Sequence, residues 1–250
     1  MIHAACQKIN ISISKRQIAM SQLVFIPGLL CTEALFPSQF QAFNGVAECR
    51  VADTLEMDSI DEMAEKCLQD ISGPFAVLGF SMGGYIALEI ARRAPERLTG
   101  LALVSTSAQP DTEEKRKQRA GLVELSQIGK FKGVTPRLLP RFFSPKALQD
   151  DAKTQIAINM GEKVGKDNFI RQQQAIMGRR DQRPYLTSFT KPSVVICGQL
   201  DVLTPPAHAI EMDSLLPHSR LHLLEDVGHM STIEAPEAVN QHLLDWYQQI

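Results

Sequence analysis

Short apolar runs alternate with amphipathic helical stretches along most of this chain, and that alternation is its strongest constraint on folding. "LVFIP" (Leu23 to Pro27), "AECRVA" (Ala47 to Ala52), "FAVLGF" (Phe75 to Phe80), "LTGLALVS" (Leu98 to Ser105), "SVVICG" (Ser193 to Gly198) and "RLHLLED" (Arg220 to Asp226) read as strands. Helices are predicted between them: around Glu33 to Phe43, from a cap at Asp58 or Ser59, from Met82 to a stop at Pro95, after Pro205 and Pro206, and from Pro236 to Gln249. Such an order folds into right-handed βαβ units and a mostly parallel, doubly wound sheet with both faces covered.

The rhythm breaks after Ser107. Up to about Ser188 the chain offers helical stretches interrupted by prolines, as in "TPRLLPRFFSP", and no strand pattern. A stretch this long is no plain connection, so residues 109–188 are expected to form an inserted helical cap over a core of residues 20–108 and 189–250. Residues 1–19 are either an extension before Met20 or, through "INISIS", a short edge strand.

At 250 residues with 44% hydrophobic side chains, the chain can bury one large core. A formal net charge of -2 supplies no basic excess for nucleic acid or an anionic membrane, and a small-molecule partner is expected. The five cysteines are odd in number and form no Cys-x-x-Cys pair, which points to reduced thiols and a cytoplasmic setting. A secretory leader is not expected from the first twenty residues, and the sequence has no run of 18 apolar residues. His and carboxylates lack metal-site spacing and the phosphate-cradling glycine motifs are missing, so neither metal nor cofactor is expected.

Ser81 occupies the chain's Gly-x-Ser-x-Gly window, "GFSMG". The pentapeptide alone is weak evidence, but here Gly79 closes an apolar strand and Gly83 and Gly84 open a helix, the strand-turn-helix setting of an exposed nucleophile. A serine hydroxyl needs a base to take its proton and an acid to orient that base. Of the six histidines, His3 lies in residues 1–19, His222 in a strand, and His208 and His242 in helical patterns, while His218 precedes a strand. His229, in "EDVGHMSTIEAP", follows the last strand, where its ring can reach the carboxyl edge of the sheet. Asp201, in "CGQLDVLTPP", follows the preceding strand at the same edge, whereas Glu225 and Asp226 read as turn residues. The order Ser81, Asp201, His229 matches that of the α/β-hydrolases.

With "GFSMGG", "GQLDVLTPP", "GHMSTIEAPEAV" and the helical insertion in place, the chain resembles the α/β-hydrolase superfamily over nearly its whole length from Met20. It is most similar to the compact, cofactor-free branch of small esterases, enol-lactonases, carbon–carbon bond hydrolases and non-haem haloperoxidases. The resemblance implies a cap between the sixth and seventh strands. It also implies an oxyanion hole made by the backbone N–H groups of Leu29 and Met82. Pro27 stands in "FIPGLLC" where the family usually has histidine, which changes how that loop can be braced. Leu30, Phe142 and Phe143 are candidates for lining the substrate site, and Arg179, in "GRRDQRP", for holding a substrate carboxylate; a solvated basic surface is the plainer reading of those arginines. Cys31 reads as packing. The expected activity is cleavage of a small carboxylic ester, lactone or thioester through an acyl-enzyme. Carbon–carbon cleavage or elimination by the same triad is the alternative within enzymes, and a ligand sensor the alternative outside them.

Overall fold

The computed structural model describes residues 21–250, so the alternatives for residues 1–19 lie outside the described residues. Six strands, β1 (Gln22–Ile26), β2 (Glu48–Val51), β3 (Phe75–Phe80), β4 (Leu98–Val104), β5 (Ser193–Gly198) and β6 (Ser219–Leu224), form one sheet in the order β2-β1-β3-β4-β5-β6. Every pairing is parallel. The expected strands are all present, to within a residue or two at their ends.

Strand residues alternate between two apolar layers, as the period of two requires. Leu23, Phe25, Leu78, Phe80, Val104 and Ile196 face one layer, with Leu243 and Trp246 of helix α9 (Pro236–Tyr247) packed against them. Val24, Ile26, Val77, Leu103 and Val195 face the other, which holds residues of α2 (Ile60–Asp70), α3 (Met82–Arg93) and α7 (Pro206–Leu215). The α2 cap is Ser59, whose hydroxyl accepts the Glu62 N–H at 3.1 Å, a contact typically worth about 1 kcal/mol. The helix expected over Glu33 to Phe43 is divided: a 3-10 turn at Glu33–Leu35 ends at Phe36, and Pro37 starts α1 (Pro37–Ala42).

The inserted helices lie between β4 and β5, the fourth and fifth of the described strands. They are α4 (Glu113–Ile128), α5 (Asp151–Gly178) and the short α6 (Arg183–Leu186). Helix α5 is broken at Gly165, whose φ of 77° and ψ of 175° no helix contains. Val134, Leu139, Phe143, Met160, Val164 and Phe169 of the cap join the same apolar layer as Leu30 and Phe80, so the insertion is packed onto the core. One short helix completes the order, α8 (Ser231–Glu234), which leads into α9.

The strand order reverses its direction of growth at β1, which sits between β2 and β3. In an open parallel sheet the crevice at such a reversal, beyond the carboxyl ends of the strands, is where ligands bind. The loop after β1 carries Leu29 and Leu30, and the turn after β3 carries Ser81.

Candidate active site

Ser81 joins β3 directly to α3 with φ 52° and ψ -115°, a backbone conformation unfavourable for a residue with a side chain, typically by about 1–3 kcal/mol. The surroundings over-determine it. Its N–H donates to the Val104 carbonyl at 3.0 Å, and its carbonyl accepts the Gly84 N–H at 2.9 Å and the Thr106 hydroxyl at 2.7 Å. The flanking glycines are required by contact: a Cβ on Gly83 would stand 2.0 Å from the Ile26 carbonyl oxygen, and one on Gly79 would stand 2.4 Å from that of Gly83.

The three residues expected to act together meet. His229 Nε2 lies 3.0 Å from Ser81 Oγ, and His229 Nδ1 lies 2.8 Å from Asp201 Oδ2. Asp201 and His229 are buried, while Ser81 keeps part of its surface. Asp201 Oδ1 accepts the N–H groups of Leu203 at 2.8 Å and Thr204 at 2.9 Å, and Oδ2 also accepts the Thr204 hydroxyl at 2.8 Å. Burial pushes the Asp201 carboxyl up, but His229 beside it and the Thr204 donors override this and hold it below the usual carboxylate range. An ionised Asp201 accepts the Nδ1 proton and leaves Nε2 as the acceptor for the serine hydroxyl. Glu225 and Asp226 are exposed and take no part.

Leu29 follows Gly28, which passes so close to the serine that a Cβ there would stand 3.2 Å from Ser81 Cβ. Met82 opens α3, where the helix N-terminus presents free N–H groups. Leu30 is buried, with its N–H donating to the Gln172 side-chain oxygen at 3.0 Å. Phe142 and Phe143 lie against the histidine loop: the Phe142 carbonyl accepts the Met230 N–H at 3.0 Å, and Phe143 is packed beside Gly228. The adjoining Glu234 carboxylate accepts the N–H of Gly228 at 3.1 Å and of Ser144 at 3.0 Å. Cys31 is buried, and burial raises its thiol to about 12, which fits packing.

Arg179, a candidate for holding a substrate carboxylate, is buried, unlike the more exposed Arg180 and Arg183. Its guanidinium is buried against Asp111 at 2.9 Å, donates to the carbonyls of Gln109 at 3.0 Å and Ile176 at 2.9 Å, and covers the Tyr85 ring at 4.3 Å. These partners consume it: three lie within the cap, and the Tyr85 ring belongs to the core. Arg180 pairs with Asp61 at 2.9 Å, and Arg183 with Asp181 at 2.6 Å. Thr204, Glu234 and Gln172 escaped the sequence reading. Thr204 alone had a local signal, a hydroxyl three residues beyond the acid in "DVLT".

Among the described residues, no group of three or more His, Cys, Asp or Glu side chains could hold a metal ion, and no helix is long and apolar enough to cross a membrane. The described cysteines Cys31, Cys49, Cys67 and Cys197 carry free thiols.

With this arrangement on a doubly wound sheet, the comparisons agree on the class. The family model of the thioesterase domain matches residues 36–177, more than half of the chain, and that of the alpha/beta hydrolase fold matches residues 149–236. The chain belongs to the α/β-hydrolase superfamily. It is 28% identical over 214 residues to a pimeloyl-[acyl-carrier protein] methyl ester esterase of Photobacterium profundum, covering 77% of this chain and 78% of that protein. The fold is shared with an esterase from Thermogutta terrifontis at a TM-score of 0.82 and 22% identity, covering 92% of this chain and 90% of the other. The enol-lactonase from Burkholderia xenovorans superposes with a TM-score of 0.84 at 19% identity, covering 94% of each.

Proposed function

We propose that this protein is a serine hydrolase that cleaves a carboxylic ester, lactone or thioester of a small molecule through an acyl-enzyme. The observation that carries the reading is the unbroken chain from Ser81 Oγ through the His229 ring to Asp201, with contacts of 3.0 and 2.8 Å. Ser81 Oγ attacks the acyl carbonyl as His229 Nε2 takes its proton, and Asp201 stabilises the imidazolium through Nδ1–H. The oxyanion is received by the N–H groups of Leu29 and Met82; such donors typically contribute on the order of 2.7–4 kcal/mol each. Collapse of the tetrahedral intermediate breaks the bond to the alkoxide or thiolate leaving group, which takes the proton from Nε2. Water, deprotonated by the same nitrogen, then attacks the acyl-enzyme and releases the acid and free Ser81.

The activities of the relatives, methyl ester esterase, esterase and enol-lactonase, support an ester-type bond. The thioesterase family match supports a thioester within the same chemistry. With Arg179 committed to Asp111, a neutral acyl group is favoured over one ending in a carboxylate. An apolar acyl site is assigned to Leu30, Phe142 and Phe143, a reading supported by the apolar layer that Leu30 and Phe143 share with Phe80.

The test is a chain-length panel of p-nitrophenyl esters run on wild type, Ser81→Ala and His229→Ala, with fluorophosphonate labelling of each. Wild type is expected to label and to turn over short or medium acyl chains, and both variants to lose that activity. Turnover that survives Ser81→Ala, or a folded wild type that neither labels nor hydrolyses any ester, defeats the reading.

A further inference from the structure

The near balance of charge over the whole chain conceals a division. Residues 109–188 hold more than half of its 26 Lys and Arg but only about a third of its 28 Asp and Glu, so the cap is basic and the rest of the chain acidic. The excess is concentrated in one run, "KFKGVTPRLLPRFFSPK", from Lys130 to Lys146. It carries Lys130, Lys132, Arg137, Arg141 and Lys146 without a single carboxylate, and the flanking acids stand back at Glu124 and Asp150. All five cations are exposed.

Pairing separates this run from most of the cap's other cations. Lys117 meets Glu113 at 2.8 Å, Arg119 meets Asp111 at 2.7 Å, Arg180 meets Asp61 at 2.9 Å and Arg183 meets Asp181 at 2.6 Å. Among the described residues, none of the five in the run is in an ion pair. Neighbouring like charges without partners repel one another, and a bound polyanion relieves that repulsion. Each exposed cation is weak alone because water and salt screen it, so the run favours a ligand bearing several charges, as phosphates do, over one with a single carboxylate.

The place of the run says which part of a substrate it meets. Its apolar residues turn inward: Val134, Leu139 and Phe143 are buried in the layer that holds Leu30 and Phe80. Two consecutive turns coil the backbone between Arg137 and Arg141, with the Leu138 N–H donating to the Thr135 carbonyl at 2.8 Å and the Arg141 N–H to the Leu138 carbonyl at 2.9 Å. Arg141 leads straight into Phe142, whose carbonyl accepts the N–H of Met230, the residue after His229, at 3.0 Å. In the hydrolase reading, His229 Nε2 gives its proton to the leaving group, so that group departs past the histidine loop. The cationic run borders its exit.

We infer that the Lys130–Lys146 run binds phosphates on the leaving group, and that the substrate is the acyl thioester of a phosphorylated thiol carrier of the coenzyme A type. The inference rests on the serine-hydrolase reading above and narrows it. Ser81 Oγ takes the acyl group as the C–S bond breaks, the carrier thiolate leaves with the Nε2 proton as the free thiol, and water then releases the acid. The apolar layer takes the acyl chain and the cations outside it hold the carrier, in keeping with the neutral acyl group favoured above. The match to the thioesterase domain supports the same bond.

The test compares butyryl-CoA with butyryl-pantetheine, which keeps the acyl group, the thioester and the pantetheine arm but lacks the phosphates and the nucleotide. Wild type is expected to show kcat/KM about tenfold higher for butyryl-CoA at low ionic strength, the ratio falling to within about twofold in about 0.5 M NaCl as screening removes the attraction. Arg137→Glu with Arg141→Glu should bring the ratio to about one or below, and Lys130→Glu with Lys132→Glu should lower it roughly threefold. The ratio is taken within each enzyme, so incomplete folding of a variant cancels; should either pair not fold at all, Arg141→Glu alone replaces it. A wild-type ratio within about twofold at low salt overturns the inference, as does a ratio that neither charge reversal changes. Ser81→Ala run alongside separates the failures: turnover that survives it removes the hydrolase reading, whereas a Ser81-dependent enzyme indifferent to the phosphates removes this inference alone.

Discussion

Asp111 and Asp201 are both buried carboxylates a few residues beyond the carboxyl end of a central strand, and they are held in opposite ways. Asp111 meets two permanent cations, Arg119 at 2.7 Å and Arg179 at 2.9 Å. Asp201 meets one titratable ring, and the far side of that ring faces a hydroxyl. A carboxylate closed off by guanidinium groups has nothing to exchange and acts as a rivet within the cap, tying α4 to the end of α5. A carboxylate paired with an imidazole leaves that ring able to take up a proton at its other nitrogen. The same residue type, at the same depth, is thus structural or chemical according to whether its partner can titrate.

Four experiments would break or sharpen this contrast. The largest effect is expected from Asp201→Asn, which preserves shape but favours the wrong imidazole tautomer; kcat should fall on the order of 10⁴-fold while the fold persists. A loss under tenfold in steady-state kinetics would mean that Asp201 is a rivet too. Asp111→Ala should do the reverse, destabilising the protein by about 3–5 kcal/mol in urea unfolding because Arg119 and Arg179 lose a buried partner. Its kcat per phosphonate-labelled molecule should stay within about twofold of wild type.

Thr204→Val removes the hydroxyl that accompanies His229 on Asp201 Oδ2 and leaves the backbone donors in place. A drop of roughly tenfold in kcat is expected, the acid being loosened and not lost. The smallest effect concerns Glu89, a third buried carboxylate, on α3. Burial pushes its carboxyl up, but the Arg92 guanidinium and the Gln182 amide override this and take it from the usual 4.5 down to about 2. Its stabilisation is therefore complete above about pH 4.5 and drains away as the pH falls toward about 2. Melting temperatures should show this decline below pH 4.5, and Glu89→Gln should flatten it; an unchanged slope would remove Glu89 from the linkage.

What could be read from the sequence follows the same division. The four central strands were legible because they are buried on both faces and so appear as unbroken apolar runs, "FAVLGF" and "SVVICG" among them. Ser81 was legible because its turn leaves no room for side chains at Gly79 and Gly83, and steric demands of that kind mark the sequence directly. Asp201 and His229 followed from their places beyond two consecutive strands. The burial of Arg179 was not legible because its partner lies 68 positions away, at the entry to the cap, and no local pattern links the two. Gln172 was invisible for a related reason: it is the first of three glutamines in "RQQQA", and only the packing of α5 selects the one that meets Leu30.

The strap formed by Phe142 to Ser144 also sets a rule for redesign. It is bonded to the residues on both sides of His229, directly through Met230 and by way of Glu234 to Gly228. A graft that exchanges the whole cap for a relative's would cut the histidine loop's supports together with the old specificity. A graft confined to residues 113–138 would leave the strap in place, provided it keeps Arg119, which pairs with Asp111 and bonds Gln173 of α5. The cap thus has an exchangeable front and a fixed rear, and new acyl preferences are best sought in the front.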